Sequence, residues 1–176
     1  MKQLIYLSII TAVLFASCNT GSQKGKTAET FQPIETTVPA RPAGQKHVVG
    51  LTAPKLDTVR VGFIGLGMRG PSAVQRFTHI PGAKIVALCD LHPDRVEKSQ
   101  QILDKAGMPR AAAYSGNEEA WKELCQRDDI DLVYIATDWK RHAQMMIYAM
   151  EQGKHVACEV PAAMTLEEIW DVVNTA

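Results

Sequence analysis

From residue 58 onward, short hydrophobic segments alternate with amphipathic segments that carry helix start and stop signals. The predicted strands are 58–64, 84–89, 111–114, 132–136 and 155–159. The predicted helices are 71–79, 93–106, a segment ending near 126, 141–152, and a last helix still running at 176. S-x-x-E at Ser115 and T-x-x-E at Thr165 have the spacing of capping boxes for the third and fifth helices.

Continuous apolar strands of this length are typical of sheets covered by helices on both faces. The pattern therefore predicts an α/β fold with a doubly wound parallel sheet of the Rossmann type. Folds of this type have six strands in two halves, and only five are found here. We therefore expect this chain to be the N-terminal part of a longer protein that continues beyond residue 176.

The first residues have the pattern of an export signal. Residues 4–16 are an apolar run behind Lys2, too short to span a bilayer comfortably, and Ala16 and Ser17 precede Cys18. This resembles a relaxed bacterial lipobox, which implies cleavage before Cys18, lipidation of its sulfur and anchoring to a membrane of the bacterial cell envelope. The alternative is an ordinary cleaved signal peptide with a chance cysteine.

The predicted organisation has three parts. Residues 1–17 are a lipoprotein signal peptide, 18–57 a disordered tether and 58–176 an incomplete domain of the Rossmann type. The tether is rich in Thr, Pro, Gly, Gln and Lys, and such a composition does not bury enough apolar surface to offset the entropy of ordering.

Charge and cysteine usage exclude some classes of function. The chain has 19 basic and 19 acidic residues, so nothing in its charge indicates a nucleic-acid partner. Cys89, Cys125 and Cys158 form no C-x-x-C pair, which favours buried free thiols over a zinc site.

A glycine motif follows the first predicted strand directly. Gly65, Gly67 and Gly70 form G-x-G-x-x-G, which by itself also occurs by chance in flexible loops. Its position between a strand and a helix favours a dinucleotide site: Gly65 permits the turn, Gly67 the approach of the pyrophosphate, and Gly70 close helix packing. Amides near Met68 and Arg69 would face the phosphates at the helix N-terminus.

An acid stands where a dinucleotide site needs one. Asp90 lies 20 residues after Gly70, at the end of the second strand, and would accept hydrogen bonds from the adenosine ribose. Its carboxylate would repel a 2′-phosphate, and neither Leu91 nor His92 offsets that charge. The sequence therefore predicts NAD rather than NADP as cofactor.

Two further loops follow the fourth and fifth strands, and ligands of open α/β sheets lie beyond the carboxyl ends of strands. Trp139 and His142 would lie near the nicotinamide, although a hydrophobic lid and a helix N-terminal histidine are the structural alternatives. Arg69 either reaches solvent or contacts a phosphate or substrate. Met145, Met146 and Met150 favour core packing, and Asp128, Asp129 and Asp131 favour a solvated turn over a metal site.

Several motifs together resemble a known family. The glycine motif, the acid after strand two, D-L-V-Y-I-A-T followed by a histidine, and E-x-P after strand five are similar to the glucose–fructose oxidoreductase/inositol dehydrogenase (Gfo/Idh/MocA) family. GLGMRGPSAVQRF, ALCDLHPDRVEK, YSGNEEAWKELC, DIDLVYIATDWK and YAMEQGKHVACEVPAAMT resemble glycoside hydrolase family 109 more narrowly. Dehydrogenases of the broad family usually have E-K-P, whereas Val160 replaces that lysine here.

The resemblance to family 109 implies NAD-dependent hydrolysis of terminal α-linked N-acetylgalactosamine. In that reaction, C3 of the sugar is transiently oxidised by NAD⁺, the C1 leaving group is eliminated, water adds, and C3 is reduced again. The resemblance places no catalytic residue in this chain, because it implies that these residues lie in a substrate domain beyond residue 176. It implies a cofactor site formed by Met68, Arg69, Asp90, Trp139, Lys140, Arg141, His142, Glu159 and Val160. An NAD-dependent sugar dehydrogenase and a non-catalytic NAD-binding module are the alternatives.

Overall fold

The computed structural model describes residues 38–41, 43–45 and 48–176. The predicted signal peptide, Cys18 and most of the predicted tether lie outside these residues. The described residues before 58 contain no helix or strand and are mostly exposed. Among them, the side-chain amide of Gln45 donates a hydrogen bond of 2.5 Å to the carbonyl oxygen of Asn174.

Five parallel strands form a single sheet in the order β3-β2-β1-β4-β5. The strands are β1 (Val59–Ile64), β2 (Ala83–Cys89), β3 (Ala112–Tyr114), β4 (Leu132–Ile135) and β5 (His155–Cys158). The helices are α1 (Gly70–Phe77), α2 (Pro93–Lys105), α3 (Ala120–Cys125), α4 (Trp139–Glu151) and α5 (Leu166–Thr175). The predicted α/β fold with a doubly wound parallel sheet is confirmed.

The strands end level with one another. Ile64 at the end of β1 pairs with Cys89 of β2 and with Ile135 of β4, and Ile135 pairs in turn with Cys158 of β5. The residues that follow these strand ends therefore emerge at the same edge of the sheet. This register gathers the predicted site residues, which are far apart in the sequence.

The hydrophobic core lies on both faces of the sheet, as the continuous apolar strands predict. One cluster packs α3 and α4 against residues such as Ile64 and Val133, and the other packs α1 and α2 against Phe63 and Leu88. Met145 is buried and Met146 packs against the first cluster, which confirms core packing for these two methionines.

One of the two predicted capping boxes forms. The Thr165 side chain accepts a hydrogen bond from the Glu168 amide, and the Glu168 carboxylate accepts one from the Thr165 amide. The box predicted at Ser115 is wrong: α3 begins only at Ala120, and the Asn117 side chain accepts the hydrogen bond of a local turn from Glu119 N–H. Helix α4 begins at Trp139, two residues earlier than predicted.

None of the helices within the described ranges has the length and apolar character needed to cross a membrane.

Candidate functional site

A cleft of about 620 Å³ opens at the carboxyl edge of the sheet, and this volume is in the range of small-molecule sites. It lies beyond the ends of β1 and β4. At this point the strands that follow β1 in the chain change from one side of it (β2 and β3) to the other (β4 and β5), and open α/β sheets bind ligands at such a switch. Ten of the twelve predicted cofactor residues line it: Gly65, Gly67, Met68, Arg69, Asp90, Trp139, Arg141, His142, Glu159 and Val160. The other two, Gly70 and Lys140, do not line the cleft.

The three glycines of the motif have different surroundings. Gly65 has φ +91°, and a Cβ there would lie 2.6 Å from the backbone of Ala136. A Cβ on Gly70 would lie 2.0 Å from the carbonyl oxygen of Gly65. At Gly67 the nearest atom would be Arg95 Nη1 at 3.6 Å. Gly65 and Gly70 therefore allow close approach within the fold, whereas Gly67 leaves room beside the cleft for a ligand.

Asp90 is held at the end of β2 by backbone amides. Its Oδ2 accepts a hydrogen bond of 2.7 Å from Leu66 N–H, and its Oδ1 accepts one of 2.9 Å from His92 N–H. The residue is 7% exposed and lines the cleft. These contacts fix the carboxylate next to the glycine turn, as a site for a ribose hydroxyl requires.

His142 joins two loops of the cleft. Its Nδ1 lies 2.7 Å from the carbonyl oxygen of Pro161, its Nε2 lies 3.2 Å from that of Thr137, and the residue is 1% exposed. Both ring nitrogens thus face protein carbonyls. His142 holds the loop after β4 against the loop after β5, and it lines the cleft.

Glu159, the first residue after β5, is oriented by a tyrosine. The Tyr134 hydroxyl donates a hydrogen bond of 2.8 Å to Glu159 Oε1. Burial, followed by the hydrogen bond to Glu159, raises the pKa of Tyr134, so the phenol stays protonated and remains a donor. The next residue, Val160, is 81% exposed at the edge of the cleft.

An arginine connects the two sides of the cleft mouth. Arg141 Nε lies 3.3 Å from Asp138 Oδ2, and its Nη2 lies 3.9 Å from Glu118 Oε1, in the loop before α3. Arg69 is exposed and lines the same cleft, at the N-terminus of α1. Cationic groups beside a helix N-terminus suit an anionic ligand such as a pyrophosphate.

Large apolar side chains protrude at the rim of the cleft. Met68 is 87% exposed, and Trp139 and Val160 are also exposed. Exposed apolar groups around a concave site are typical of surfaces that a ligand or another protein surface covers. The rim is therefore suited to a flat, partly apolar ring.

Sequence reasoning missed Arg95 and Glu118, which also line the cleft. Arg95 lies in the first turn of α2, and its Nη1 is 3.4 Å from Asp90 Oδ1. The sequence signal that could have identified Arg95 is its spacing: it lies five residues after Asp90, in the first turn of the helix that follows.

The aspartates after α3 and the cysteine thiols are chemically capable of binding a metal. The aspartates form ion pairs instead: Arg60 pairs with Asp131, and Arg127 pairs with Asp129. Cys89 lines the cleft, but burial raises its pKa to about 12, so it is not a ready nucleophile. Within residues 38–41, 43–45 and 48–176, no cluster of His, Cys, Asp and Glu has the geometry of a metal site.

Comparison with known families matches residues 59–176 to GFO_IDH_MocA, described as an oxidoreductase family with an NAD-binding Rossmann fold. Among solved structures, the chain is similar to myo-inositol dehydrogenase from Lactobacillus casei in complex with NAD(H) and myo-inositol. The TM-score is 0.58 and the identity 28%, over 67% of this chain and 33% of that one.

Two curated relatives are more similar in sequence. Glycosyl hydrolase family 109 protein 1 of Bacteroides fragilis is 74% identical over 86% of this chain and 33% of its own length. The protein of the same name from Bacteroides thetaiotaomicron is 63% identical over 100% of this chain and 37% of its own length. The chain thus spans about a third of the length of these relatives.

Proposed function

This chain belongs to the Gfo/Idh/MocA oxidoreductase family, whose NAD-binding Rossmann fold it forms, and we propose that it is the cofactor domain of a family 109 glycosidase. The cofactor is NAD. The proposed substrate is a glycan with a terminal α-linked N-acetylgalactosamine. The proposal rests on the cleft geometry together with the 63% and 74% identities to family 109 proteins.

The residues of the cleft fit the parts of NAD. Gly67 leaves space for the pyrophosphate, and Asp90 presents a carboxylate to the adenosine ribose. At the other end, the apolar surfaces of Trp139 and Val160 suit the nicotinamide. Between the two ends, the exposed Arg69 at the N-terminus of α1 complements the negative charge of the pyrophosphate. When bound, NAD supplies a hydride acceptor and donor.

The proposed reaction needs a redox cofactor without net redox change. The sugar is oxidised at C3, which acidifies its C2 proton; the C2 proton and the C1 leaving group are eliminated, water adds to C1, and C3 is reduced again. The role of this chain is to hold the cofactor and exclude water around it. Tyr134 keeps Glu159 fixed, and His142 keeps the two loops together, so that the nicotinamide end of the cleft has one shape.

One observation carries the choice of a glycosidase over a simple dehydrogenase. Val160 stands at the edge of the cleft, 81% exposed, where family dehydrogenases usually have the lysine that assists deprotonation of a substrate hydroxyl. An isopropyl group cannot accept or donate a proton. The position instead offers an apolar contact.

The test uses a protein of the relatives' full length that carries this chain. It is offered a chromogenic α-N-acetylgalactosaminide in the presence of NAD⁺. Release of the aglycone without accumulation of NADH is the expected result. NADH formed in proportion to the sugar consumed would favour the dehydrogenase, and neither product would leave a binding module as the better description.

The dehydrogenase is the second candidate because the L. casei structure, 28% identical, is a myo-inositol dehydrogenase. A Val160→Lys variant separates the two readings further. Because a lysine at this position would assist deprotonation of a sugar hydroxyl, we expect this variant to gain NADH formation from the free sugar and to lose aglycone release. No gain in NADH formation would argue against a dehydrogenase-like role of this position.

We also propose that the protein is anchored to the bacterial cell envelope through a lipid on Cys18. The support is the sequence alone: a basic start, an apolar run and small residues before the cysteine. Metabolic labelling with a fatty acid tests the proposal. Label that disappears in Cys18→Ala is the expected result, and label that survives this substitution would overturn it.

A further inference from the structure

Arg95, in the first turn of α2, lines the cleft. Its backbone is fixed in the first turn of the helix, where its N–H donates to the His92 carbonyl at 3.1 Å and its own carbonyl accepts from Ser99 Oγ at 3.0 Å. The side chain is 44% exposed. Its Nη1 lies 3.4 Å from Asp90 Oδ1 and 3.6 Å from the position of a Cβ on Gly67. The guanidinium therefore lies beside both the acid and the glycine turn.

The contacts of Asp90 leave little of its carboxylate for a ligand. A carboxylate has about four lone-pair sites. One is used by Leu66 N–H, one by His92 N–H and one by Arg95. One site remains for a ribose hydroxyl, and the negative charge of the carboxylate is partly offset by the guanidinium beside it.

We propose that Arg95 is a specificity-determining residue of the adenosine end, which sets how strongly the cleft distinguishes a ribose 2′-hydroxyl from a 2′-phosphate. The inference rests on the proposed placement of NAD with its adenosine ribose at Asp90. A carboxylate alone repels a 2′-phosphate, and a guanidinium alone binds one through its planar fork of donors. The two groups touch, so the preference for NAD over NADP is the balance between them rather than the effect of Asp90 alone.

Replacing Arg95 and replacing Asp90 should have opposite effects on the preference for NAD. Arg95→Gln removes the positive charge and leaves Asp90 free to repel a phosphate, so NADP binding weakens more than NAD binding. Asp90→Asn removes the negative charge and leaves Arg95 free to bind the phosphate, so the preference for NAD declines. Because a charge-assisted hydrogen bond is involved, each change shifts the ratio of the two dissociation constants by about tenfold.

Isothermal titration calorimetry with NAD and with NADP, on a protein of the relatives' full length that carries this chain, tests the role of Arg95. Lys98→Gln is the matched control, because it removes one positive charge from the same helix at a side chain that is 71% exposed and pairs with Asp94. Lys98→Gln should leave the ratio unchanged. Arg95→Lys, which keeps the charge but not the fork, should shift the ratio less than Arg95→Gln does. Circular dichroism melting of each variant reports whether it is folded.

Nicotinamide mononucleotide, which lacks the adenosine half, is the control ligand. Its affinity should be the same in wild type and Arg95→Gln. A ratio in Arg95→Gln within twofold of wild type, while wild type binds NAD, would overturn the role of Arg95 and leave the cofactor site intact. A folded wild-type chain that binds neither dinucleotide would overturn the cofactor site and this inference together.

Discussion

The Asp90 carboxylate accepts a hydrogen bond of 2.7 Å from the backbone N–H of Leu66, which joins the end of β2 to the glycine turn after β1. The same carboxylate accepts from His92 N–H at 2.9 Å. The acid that the motif predicts to contact the cofactor is thus also part of the structure that forms the turn. We therefore expect a substitution of Asp90 to change both the stability of the fold and the binding of NAD.

Asp90→Ala should destabilise the fold even without cofactor. It leaves the N–H groups of Leu66 and His92 without their acceptor, and a buried unsatisfied donor costs about 1–3 kcal/mol. Asp90→Asn keeps an oxygen that accepts one of these bonds and should lose less. Urea denaturation measures the free energy of unfolding of each variant. Equal stability of wild type and Asp90→Ala would contradict the structural role.

Two glycine substitutions should separate folding from binding. In Gly70→Ala the new Cβ lies 2.0 Å from the Gly65 carbonyl oxygen, so we expect the free energy of unfolding to fall by about 3 kcal/mol. In Gly67→Ala the nearest atom is Nη1 of Arg95 at 3.6 Å, an ordinary contact distance, so stability should change by less than about 1 kcal/mol.

NAD binding, by contrast, should be impaired by Gly67→Ala although its fold is nearly unaffected. The methyl group of Gly67→Ala occupies the approach of the pyrophosphate, and we expect NAD affinity to fall by at least about tenfold in a protein that folds normally. Titration calorimetry on the folded variant measures this. Unchanged NAD affinity in Gly67→Ala would mean that the pyrophosphate lies elsewhere.

These glycines also show which parts of the site follow from sequence. G-x-G-x-x-G and Asp90 are local signals at fixed offsets from strand ends, so their positions follow once the strands are recognised. The parallel register then brings the residues after β4 and β5 to the same edge. That much of the fold and of the cleft could be predicted from periodicity and motifs.

Contacts between loops could not be predicted in this way. Arg95 reaches Asp90 from the first turn of α2, and His142 is held by carbonyls of two separate loops. The capping box expected at Ser115 failed because Asn117, a competing side chain, forms the local turn. Such choices depend on tertiary placement, which spacing along the chain does not contain.

Tyr134→Phe tests the orientation of Glu159. The variant keeps the ring packed against Phe63 and Phe77 but loses the hydrogen bond of 2.8 Å to Glu159. We expect a loss of about 1 kcal/mol in the free energy of unfolding and a several-fold loss of NAD affinity. Tyr114→Phe is the control, because its hydroxyl pairs with Arg127 instead. It should change stability only, and an equal loss of NAD affinity in both variants would argue against a specific role of Tyr134.

The three described thiols should resist alkylation in the native protein. Burial raises the pKa of Cys89, Cys125 and Cys158 to about 12 each. At pH 8 the reactive thiolate is then about one part in ten thousand. Mass spectrometry after iodoacetamide treatment of a Cys18→Ala variant should find no label at these sites until urea unfolds the protein. Rapid native labelling of any of the three would contradict their burial.

The Arg60–Asp131 pair predicts a specific acid sensitivity. Asp131 Oδ2 accepts from Arg60 N–H at 2.8 Å and from Arg60 Nε at 2.9 Å, while Oδ1 accepts from Nη2 at 2.6 Å. These hydrogen bonds lower the pKa of Asp131 from 3.8 to about 2. A carboxylate whose pKa is lowered by folding stabilises the folded state at pH values above its ordinary pKa. This contribution is lost as the pH falls from about 4 toward 2.

Other carboxylates also titrate in this range, so the measurement must isolate Asp131. The free energy of unfolding is measured by urea denaturation from pH 2 to pH 7 for wild type and for Asp131→Asn, which has the same shape but no charge. We expect wild type to be more stable by a constant amount above about pH 4, with the difference shrinking steadily below it. Because the pair joins β1 to the start of β4, loss of the charge should weaken the sheet where those strands begin. A difference that stays constant down to pH 2 would show that hydrogen bonding, and not the charge of Asp131, supports this edge.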